Sequence, residues 1–269
     1  MTATVAAPAA RPADRHRGGS LVGTRHLVRL ALRLDRIVLP LWVLVIGVMP
    51  AAGAGAYETL YPSPLEREAL TGAMSANPSF TLLYGPAFDL STVGGWTAWR
   101  YGVFMGVFLG LACIFTMTRH TRQEEDTGRQ ELLSSTVLGR RAALTASLLV
   151  CLLGSLVAGL LVAGSLIGVD APVGGSLAFG GGMTLTGWIF TGVAAVAAQF
   201  AEYARTANGI ACGVLGGAFM LRAIGDALPD AEFLSWLSPI GWSTRVRPYA
   251  GEQWWVLLLM LGTAAVLVA

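Results

Sequence analysis

Residues 142–168 read AALTASLLVCLLGSLVAGLLVAGSLIG and contain no charged side chain. An α-helix rises 1.5 Å per residue, so about 20 apolar residues cross a hydrocarbon core of roughly 30 Å. This stretch therefore predicts a transmembrane helix. Similar runs lie at 37–57, 100–118, 177–200, 207–225 and 253–269. We predict an all-α, polytopic membrane protein with about six transmembrane helices.

The composition excludes a water-soluble globular domain. Of the 269 residues, 54% are hydrophobic and only 13% are charged, whereas soluble domains carry about 25% charged residues. A chain this apolar has too little polar surface to cover a water-facing exterior. The bilayer is the solvent that fits.

Several chemistries lack the residues they need. All 18 basic residues are arginines, so the lysine of a phosphate-binding loop cannot be supplied by this chain. The sequence also contains no His-Glu-x-x-His and no Gly-x-Ser-x-Gly. We therefore expect no ATPase site, no catalytic residues, no metal and no cofactor bound by the chain itself.

The arginines also predict an orientation. Thirteen of the 18 flank the predicted spans on one side, in the segment before residue 37 and in the loops at 119–141 and 201–206. Cytoplasmic segments carry such an excess of positive charge. The N-terminus and both loops are therefore predicted to be cytoplasmic, and the protein is predicted to lie in the cell (plasma) membrane.

The segment before the first span divides into two parts. Residues 1–24 are predicted to be a disordered cytoplasmic tail, and residues 25–36 an amphipathic helix on the inner membrane surface. Its basic face would carry Arg25, Arg29, Arg33 and Arg36. The opposite face would carry Leu27, Leu30, Ala31 and Leu34. A simpler alternative is a basic flank that only sets topology.

Glycines recur at intervals of four residues in two spans. They are Gly102, Gly106 and Gly110 in the second span, and Gly209, Gly213 and Gly217 in the fifth. This spacing lines small residues along one side of a helix, where a second helix can approach closely. The pattern predicts helix packing and does not identify a substrate site.

No Asp, Glu, His or Arg lies near the middle of any predicted span. Ion-coupled carriers usually hold an ionisable group at membrane depth, so this observation argues against ion-driven transport. The three histidines, His16, His26 and His120, are scattered over cytoplasmic segments and are predicted to be surface groups.

The densest charge lies in the cytoplasmic loop 119–141. There, basic residues flank the acidic run Glu124-Glu125-Asp126, and Glu131-Leu132-Leu133 begins a helix-compatible stretch after Gly128. A short helix presenting two leucines among charges could dock into a groove on a partner protein. The alternative is a solvated turn between two spans.

Three motifs resemble those of type II ABC exporter permeases, and most closely the actinobacterial antibiotic (polyketide) exporter-like branch. In the cytoplasmic loop the pattern is Arg122-x-Glu124-Glu125-x-x-Gly128-Arg129-x-Glu131-Leu132-Leu133. The other two are Asn77-Pro78-x-Phe80 through Gly94-Gly95-Trp96, and Leu237-Ser238-Pro239-Ile240-Gly241-Trp242 followed by Arg247-Pro248-Tyr249. The similarity covers most of residues 25–269.

This resemblance implies a division of labour. A separate cytoplasmic ABC ATPase, acting as a dimer, would bind ATP and magnesium, and a second permease half would complete the pathway. The loop would couple the two proteins through Glu124, Glu125, Asp126, Gly128, Arg129, Glu131, Leu132 and Leu133. Residues 25–36 would form the interfacial helix, and residues 226–252 short extracellular helices that partly re-enter the membrane.

One feature departs from that branch, whose members often carry two fused halves. The run from Trp254 to Ala269 has 16 residues, about 24 Å of helix, which is short of the roughly 30 Å hydrocarbon core. We therefore expect an N-terminal half that is truncated in its sixth helix.

Together these features predict a permease subunit or half of an ATP-driven exporter of hydrophobic or amphipathic, antibiotic-like compounds. Two alternatives are a membrane scaffold or regulator without transport activity and an exporter of lipid or cell-envelope precursors. The residues that contact substrate are not identified by the sequence.

Overall fold

The computed structural model describes residues 21, 23–121 and 141–269, and the regular structure of these residues is helical throughout. Five of the helices are long and apolar enough to cross a membrane. They are α2 (Val38–Leu60), α5 (Val93–Arg119), α6 (Ala142–Ile167), α7 (Val173–Phe200) and α8 (Ala204–Ala227). These five confirm the first five predicted spans.

The remaining helices lie before, between and after these spans. They are α1 (Thr24–Leu34), α3 (Pro64–Ser75), α4 (Pro78–Tyr84), α9 (Glu232–Trp236), α10 (Pro239–Arg245) and α11 (Trp254–Val268), with one 3₁₀ turn at Pro229–Ala231. The predicted sixth span is α11, which is apolar but only 15 residues long. The all-α, multi-pass architecture is therefore confirmed.

The bundle is organised around α7. Nineteen of its 28 residues are buried, and it packs against α5, α6, α8 and α11, while α2 packs against α5 and α6. Large apolar side chains point outward from the surrounding helices, including Leu41, Leu153, Leu160 and Leu258. Such a surface suits lipid rather than water, because soluble monomers rarely expose extended apolar patches.

The tightest helix contact lies between α6 and α7. A Cβ placed on Gly159 would collide with the Gly180 carbonyl oxygen, and a Cβ on Gly180 would collide with the Gly159 carbonyl oxygen. A Cβ on Gly187 would collide with the Ser155 side chain of α6. These three glycines allow the two backbones to approach closely, although they lie outside the two predicted glycine rows.

The second span begins earlier than predicted, at Val93 rather than residue 100. The Thr92 hydroxyl caps the helix by accepting a hydrogen bond from the Gly95 backbone N–H at 3.0 Å. Gly94 and Gly95, which looked like loop residues, are buried in the first turn.

The predicted loop before this span also contains α3 and α4. Ser63 and Glu66 form a reciprocal capping box at the start of α3.

Candidate functional site

The eight predicted coupling residues, Glu124, Glu125, Asp126, Gly128, Arg129, Glu131, Leu132 and Leu133, lie outside the described residues. Their role stays a prediction. The structure does show where their segment joins the bundle: α5 ends at Arg119 and α6 begins at Ala142. Both helix ends lie at the end of the bundle that carries α1, hereafter the α1 end.

A buried carboxylate marks this junction. Asp35 follows α1, and its side chain is only 2% exposed. One carboxylate oxygen lies 2.7 Å from Arg119 Nη1, and the other contacts His120 Nε2. We call Asp35, Arg119 and His120 the Asp35 cluster. His120 is 5% exposed, so the prediction that it is a surface group is wrong.

Further hydrogen bonds attach the same end of α5 to two other spans. The Ser147 hydroxyl of α6 donates to the His120 carbonyl oxygen at 3.2 Å. The Thr118 hydroxyl donates to the Asn208 side-chain oxygen of α8 at 2.6 Å. The end of α5 is therefore tied to α1, α6 and α8 immediately before the segment that joins α5 to α6.

Helix α1 covers most of the segment 25–36 that was predicted to be an amphipathic helix. Arg25, Arg29 and Arg33 are exposed on the helix, and Arg36 is exposed just after it. On the opposite face Ala31 is buried, and α1 packs against α6. Leu30 and Leu34, predicted on the apolar face, remain 41% and 44% exposed. The location of this helix at a membrane surface stays a prediction.

The two predicted glycine rows differ in their surroundings. A Cβ on Gly102 or Gly106 would touch α7 side chains at 3.4–4.0 Å, and one on Gly110 would crowd Leu215 and Phe190 at 3.1–3.3 Å. The other row, Gly209, Gly213 and Gly217, faces open space, with no described atom within 4 Å of an added Cβ. The second-span row therefore packs inside the bundle, whereas the fifth-span row does not.

At the opposite end of the bundle, four charged side chains meet where α8 ends. We call Arg222, Asp226, Glu232 and Arg245 the Arg222 cluster. Arg245 lies 3.2 Å from Asp226 and 2.6 Å from Glu232, and Arg222 lies 3.7 Å from Asp226. The side chains of Arg222 and Asp226 are fully buried. Buried charges of this kind are stable only when paired and hydrogen-bonded.

Arg222 also fastens α4 to α8. Its two terminal nitrogens donate to the Thr81 carbonyl oxygen at 3.4 Å and the Leu83 carbonyl oxygen at 3.2 Å. A planar guanidinium suits several acceptors at once. Arg222 lies near the end of the predicted fifth span, 207–225, where the sequence analysis assigned it no role. The signal that it missed is Asp226, four residues later and therefore on the same helix face.

The predicted short helices at 226–252 are observed as the 3₁₀ turn, α9 and α10. Ser238 caps α10 by accepting from the Gly241 N–H at 3.2 Å and donates to the Ala218 carbonyl oxygen at 2.6 Å. Ile240 is fully buried in a cluster with residues of α5, α7 and α8, including Val103 and Leu215. Helix α10 thus enters the bundle, and its depth in a membrane stays a prediction.

The turn after α10 is held by an aromatic side chain. Arg247 and Tyr249 have left-handed backbone angles, with φ of 51° and 64°, which side-chain-bearing residues adopt only when their surroundings impose it. The Tyr249 ring lies against Gly94 and Gly175, where a Cβ would collide with it, and its hydroxyl is 2.8 Å from Ser176 Oγ. Burial raises the pKa of Tyr249 to about 12.

A small cleft lies beside this turn. It is lined by four aromatic side chains, Tyr84, Phe88, Trp99 and Phe179, and by Asp89 and Arg247 among others. The Arg247 guanidinium is 4.5 Å from the centre of the Phe88 ring. The cleft offers an apolar wall with a polar rim.

Among the described residues, His, Cys, Asp and Glu form no group of three that could hold a metal ion.

Comparison with known proteins places these features in a family. A family model described as multidrug efflux system permease Rv1217c, C-terminal domain, matches residues 25–269. The chain is also 47% identical over 262 residues to the multidrug efflux system permease protein Rv1217c of Mycobacterium tuberculosis (strain ATCC 25618 / H37Rv). That match covers 96% of this chain and 47% of the relative, so the chain spans about half the length of the curated relative that it matches.

Proposed function

Since the chain belongs to the family of the multidrug efflux system permease Rv1217c, C-terminal domain, we propose that it is a membrane-spanning half or subunit of an ATP-driven exporter. Its cargo would be hydrophobic or amphipathic, drug-like compounds such as antibiotics. The protein is a transporter component in this proposal and not an enzyme.

The observation that carries this proposal is the extent of the family match. It runs from Arg25 in α1 to Ala269, and therefore includes the Asp35 cluster, the Arg222 cluster and every spanning helix. Charged residues occur only near or beyond the ends of these helices, and the central segments 101–118, 142–168 and 206–221 have none. A pathway without ionisable groups at membrane depth favours an energy source outside the membrane.

We propose that this energy source is a separate cytoplasmic ABC ATPase. The chain has no lysine for a phosphate-binding loop, so ATP and magnesium would bind to the partner protein. The N-terminus and loop 119–141 would face the cytoplasm, as the arginine distribution predicts. The loop would meet the ATPase, and a second permease half, fused or separate, would complete the pathway.

Purification in a gentle detergent tests the partnership. The full-length permease should co-purify with a vanadate-sensitive ATPase. The double charge reversal Glu124→Arg/Glu125→Arg should reduce the recovered ATPase activity at least tenfold. Glu202→Gln is the matched control because Glu202 is an exposed carboxylate at the same end of the bundle, and it should leave recovery unchanged. Purification without any ATPase would contradict the proposal, and recovery unaffected by the reversal would contradict the predicted docking site.

A further inference from the structure

We infer that Asp35 is a positioning residue that fastens α1 to the end of α5, so that both move as one unit when the ATPase acts. The inference rests on the proposed function. It assigns a role to a carboxylate that lies neither in the predicted coupling loop nor on the basic face of α1. The inference starts from the burial of Asp35 at the place where α1 meets the end of α5.

The position of Asp35 is fixed by the backbone on both sides. Its N–H donates to the Ala31 carbonyl oxygen at 2.9 Å and so ends α1. Its own carbonyl oxygen accepts from the Leu39 N–H at 2.9 Å, within the start of α2. The residue is therefore the corner between α1 and α2. A side chain at such a corner moves with α1 whenever α1 tilts.

The partners of this carboxylate both belong to the end of α5. Arg119 is the last residue of α5 and is 42% exposed, so its guanidinium reaches the buried oxygen from the surface. His120 is buried and contacts the second oxygen. A charge in this environment interacts more strongly than one in water, and removing one partner of a buried pair leaves the other uncompensated. The cluster therefore resists separation of α1 from α5.

The end of α5 is also hydrogen-bonded to two other spans. Ser147 of α6 and Asn208 of α8 are hydrogen-bonded to it, and the segment between α5 and α6 follows Arg119. A force on the loop thus reaches α5 first. Through Asp35 it reaches α1, whose exposed Arg25, Arg29 and Arg33 are free of helix packing.

Hydrogen exchange in nanodiscs tests the fastening on the permease alone. In Asp35→Asn, amides of residues 27–34 should exchange at least about tenfold faster, because local opening controls their exchange. Arg119→Gln should also speed up exchange of these amides, but by less, because Arg119 is partly exposed. This second variant keeps the test usable if Asp35→Asn fails to fold. Glu202→Gln, an exposed carboxylate at the same end of the bundle, should change the rate less than about twofold. Unchanged exchange in both cluster variants would overturn the inference.

Spin-label distances in the permease–ATPase complex test the coupled movement. Labels at His26→Cys on α1 and Val173→Cys at the start of α7 suit this purpose because both positions are exposed. Cys212 is changed to Ser, while Cys113 and Cys151 are buried. Vanadate trapping with ATP should shift the distance between the labels, and Asp35→Asn should reduce that shift to less than half.

A third label, at Thr121→Cys, separates coupling from a general loss of response. Its distance to Val173→Cys should still change on trapping in Asp35→Asn, because the loop end of α5 is reached before the cluster. An equal shift of α1 in wild type and Asp35→Asn would overturn the role of Asp35. Failure to recover any ATPase would overturn both the proposed function and the coupled movement. The fastening of α1 to α5 would still be tested separately, because the exchange experiment needs no ATPase.

Discussion

Replacement of Arg222 by methionine should destabilise the bundle more than any other single arginine change at that end. The side chain is fully buried, and its removal deprives the Thr81 and Leu83 carbonyl oxygens of donors at 3.4 and 3.2 Å. It also removes one of the two cations that face Asp226. Methionine has a similar length, so the change removes charge and hydrogen bonds with little loss of volume.

The magnitude follows from these contacts. A hydrogen bond that involves a charged group contributes about 1.5–3 kcal/mol. Both contacts with the carbonyl oxygens are long for hydrogen bonds, so each should contribute towards the lower value. Breaking a buried ion pair by removing one partner costs about 3–5 kcal/mol. Arg245 remains 3.2 Å from Asp226 and limits the loss. We therefore expect the free energy of unfolding to fall by about 3–5 kcal/mol, a decrease in Tm of roughly 6–20 °C.

Thermal unfolding in nanodiscs measures this change. The control is Arg100→Met, because Arg100 is an exposed arginine near the same end and stacks on Tyr84 at 4.7 Å. Its loss should cost no more than about 1 kcal/mol. Arg222→Lys keeps the charge but lacks the planar donors, so an intermediate loss is expected. Equal Tm values for Arg222→Met and Arg100→Met would refute the reasoning that buried charge pairing holds α4 against α8.

Three further predictions use other parts of the fold. Gly159→Ala should lower the free energy of unfolding by about 1–3 kcal/mol through overpacking. Gly164→Ala, on the same helix but with open space around it, should be neutral or slightly stabilising. An equal loss of stability in both variants would contradict the tight α6–α7 contact. Burial raises the pKa of Tyr249 to about 12, so its contribution is complete below pH 10 and is lost as the pH rises through 12. Tyr249→Phe should remove that loss from a Tm profile between pH 9 and 12, and an unaltered profile would count against it. Glu124→Arg/Glu125→Arg should lower ethidium efflux at least tenfold at equal expression, and unchanged efflux would indicate a scaffold rather than a coupled permease.

The span helices were predictable because burial in lipid leaves a direct mark on the sequence. The run 142–168 became Ala142–Ile167, a difference of one residue, since nothing charged interrupts it. The start of the second span was misplaced by seven residues because Gly94-Gly95 look like loop residues and the charged Arg100 looks like the end of an apolar run. Arg100 is exposed and stacks on Tyr84, and the two glycines are required by close contacts with Tyr249 and the loop at Asp89. All of these contacts are tertiary, so the local sequence around the second span does not reveal them.

The two ion clusters show what local patterns leave out. Asp35 and His120 are 85 residues apart and meet only because α1 and α5 end at the same level. Arg222 and Asp226 are four apart, but their burial depends on α4 and α10, neither of which was predicted as a packing partner. The glycine row predicted for the second span does pack against other helices. The close backbone contact between α6 and α7 instead uses Gly159 and Gly180, whose spacing is irregular. The coupling motif, read from resemblance, lies outside the described residues and stays a prediction.

The source of energy is the central claim, and one transport measurement tests it most directly. Ethidium accumulation is followed in inside-out vesicles that carry the full-length permease and its co-purifying ATPase, with ATP and the proton gradient controlled separately. We predict that uptake stops when ATP is depleted with the gradient held, and continues when a protonophore collapses the gradient with ATP held. Uptake that survives ATP depletion and stops with the gradient would contradict the account.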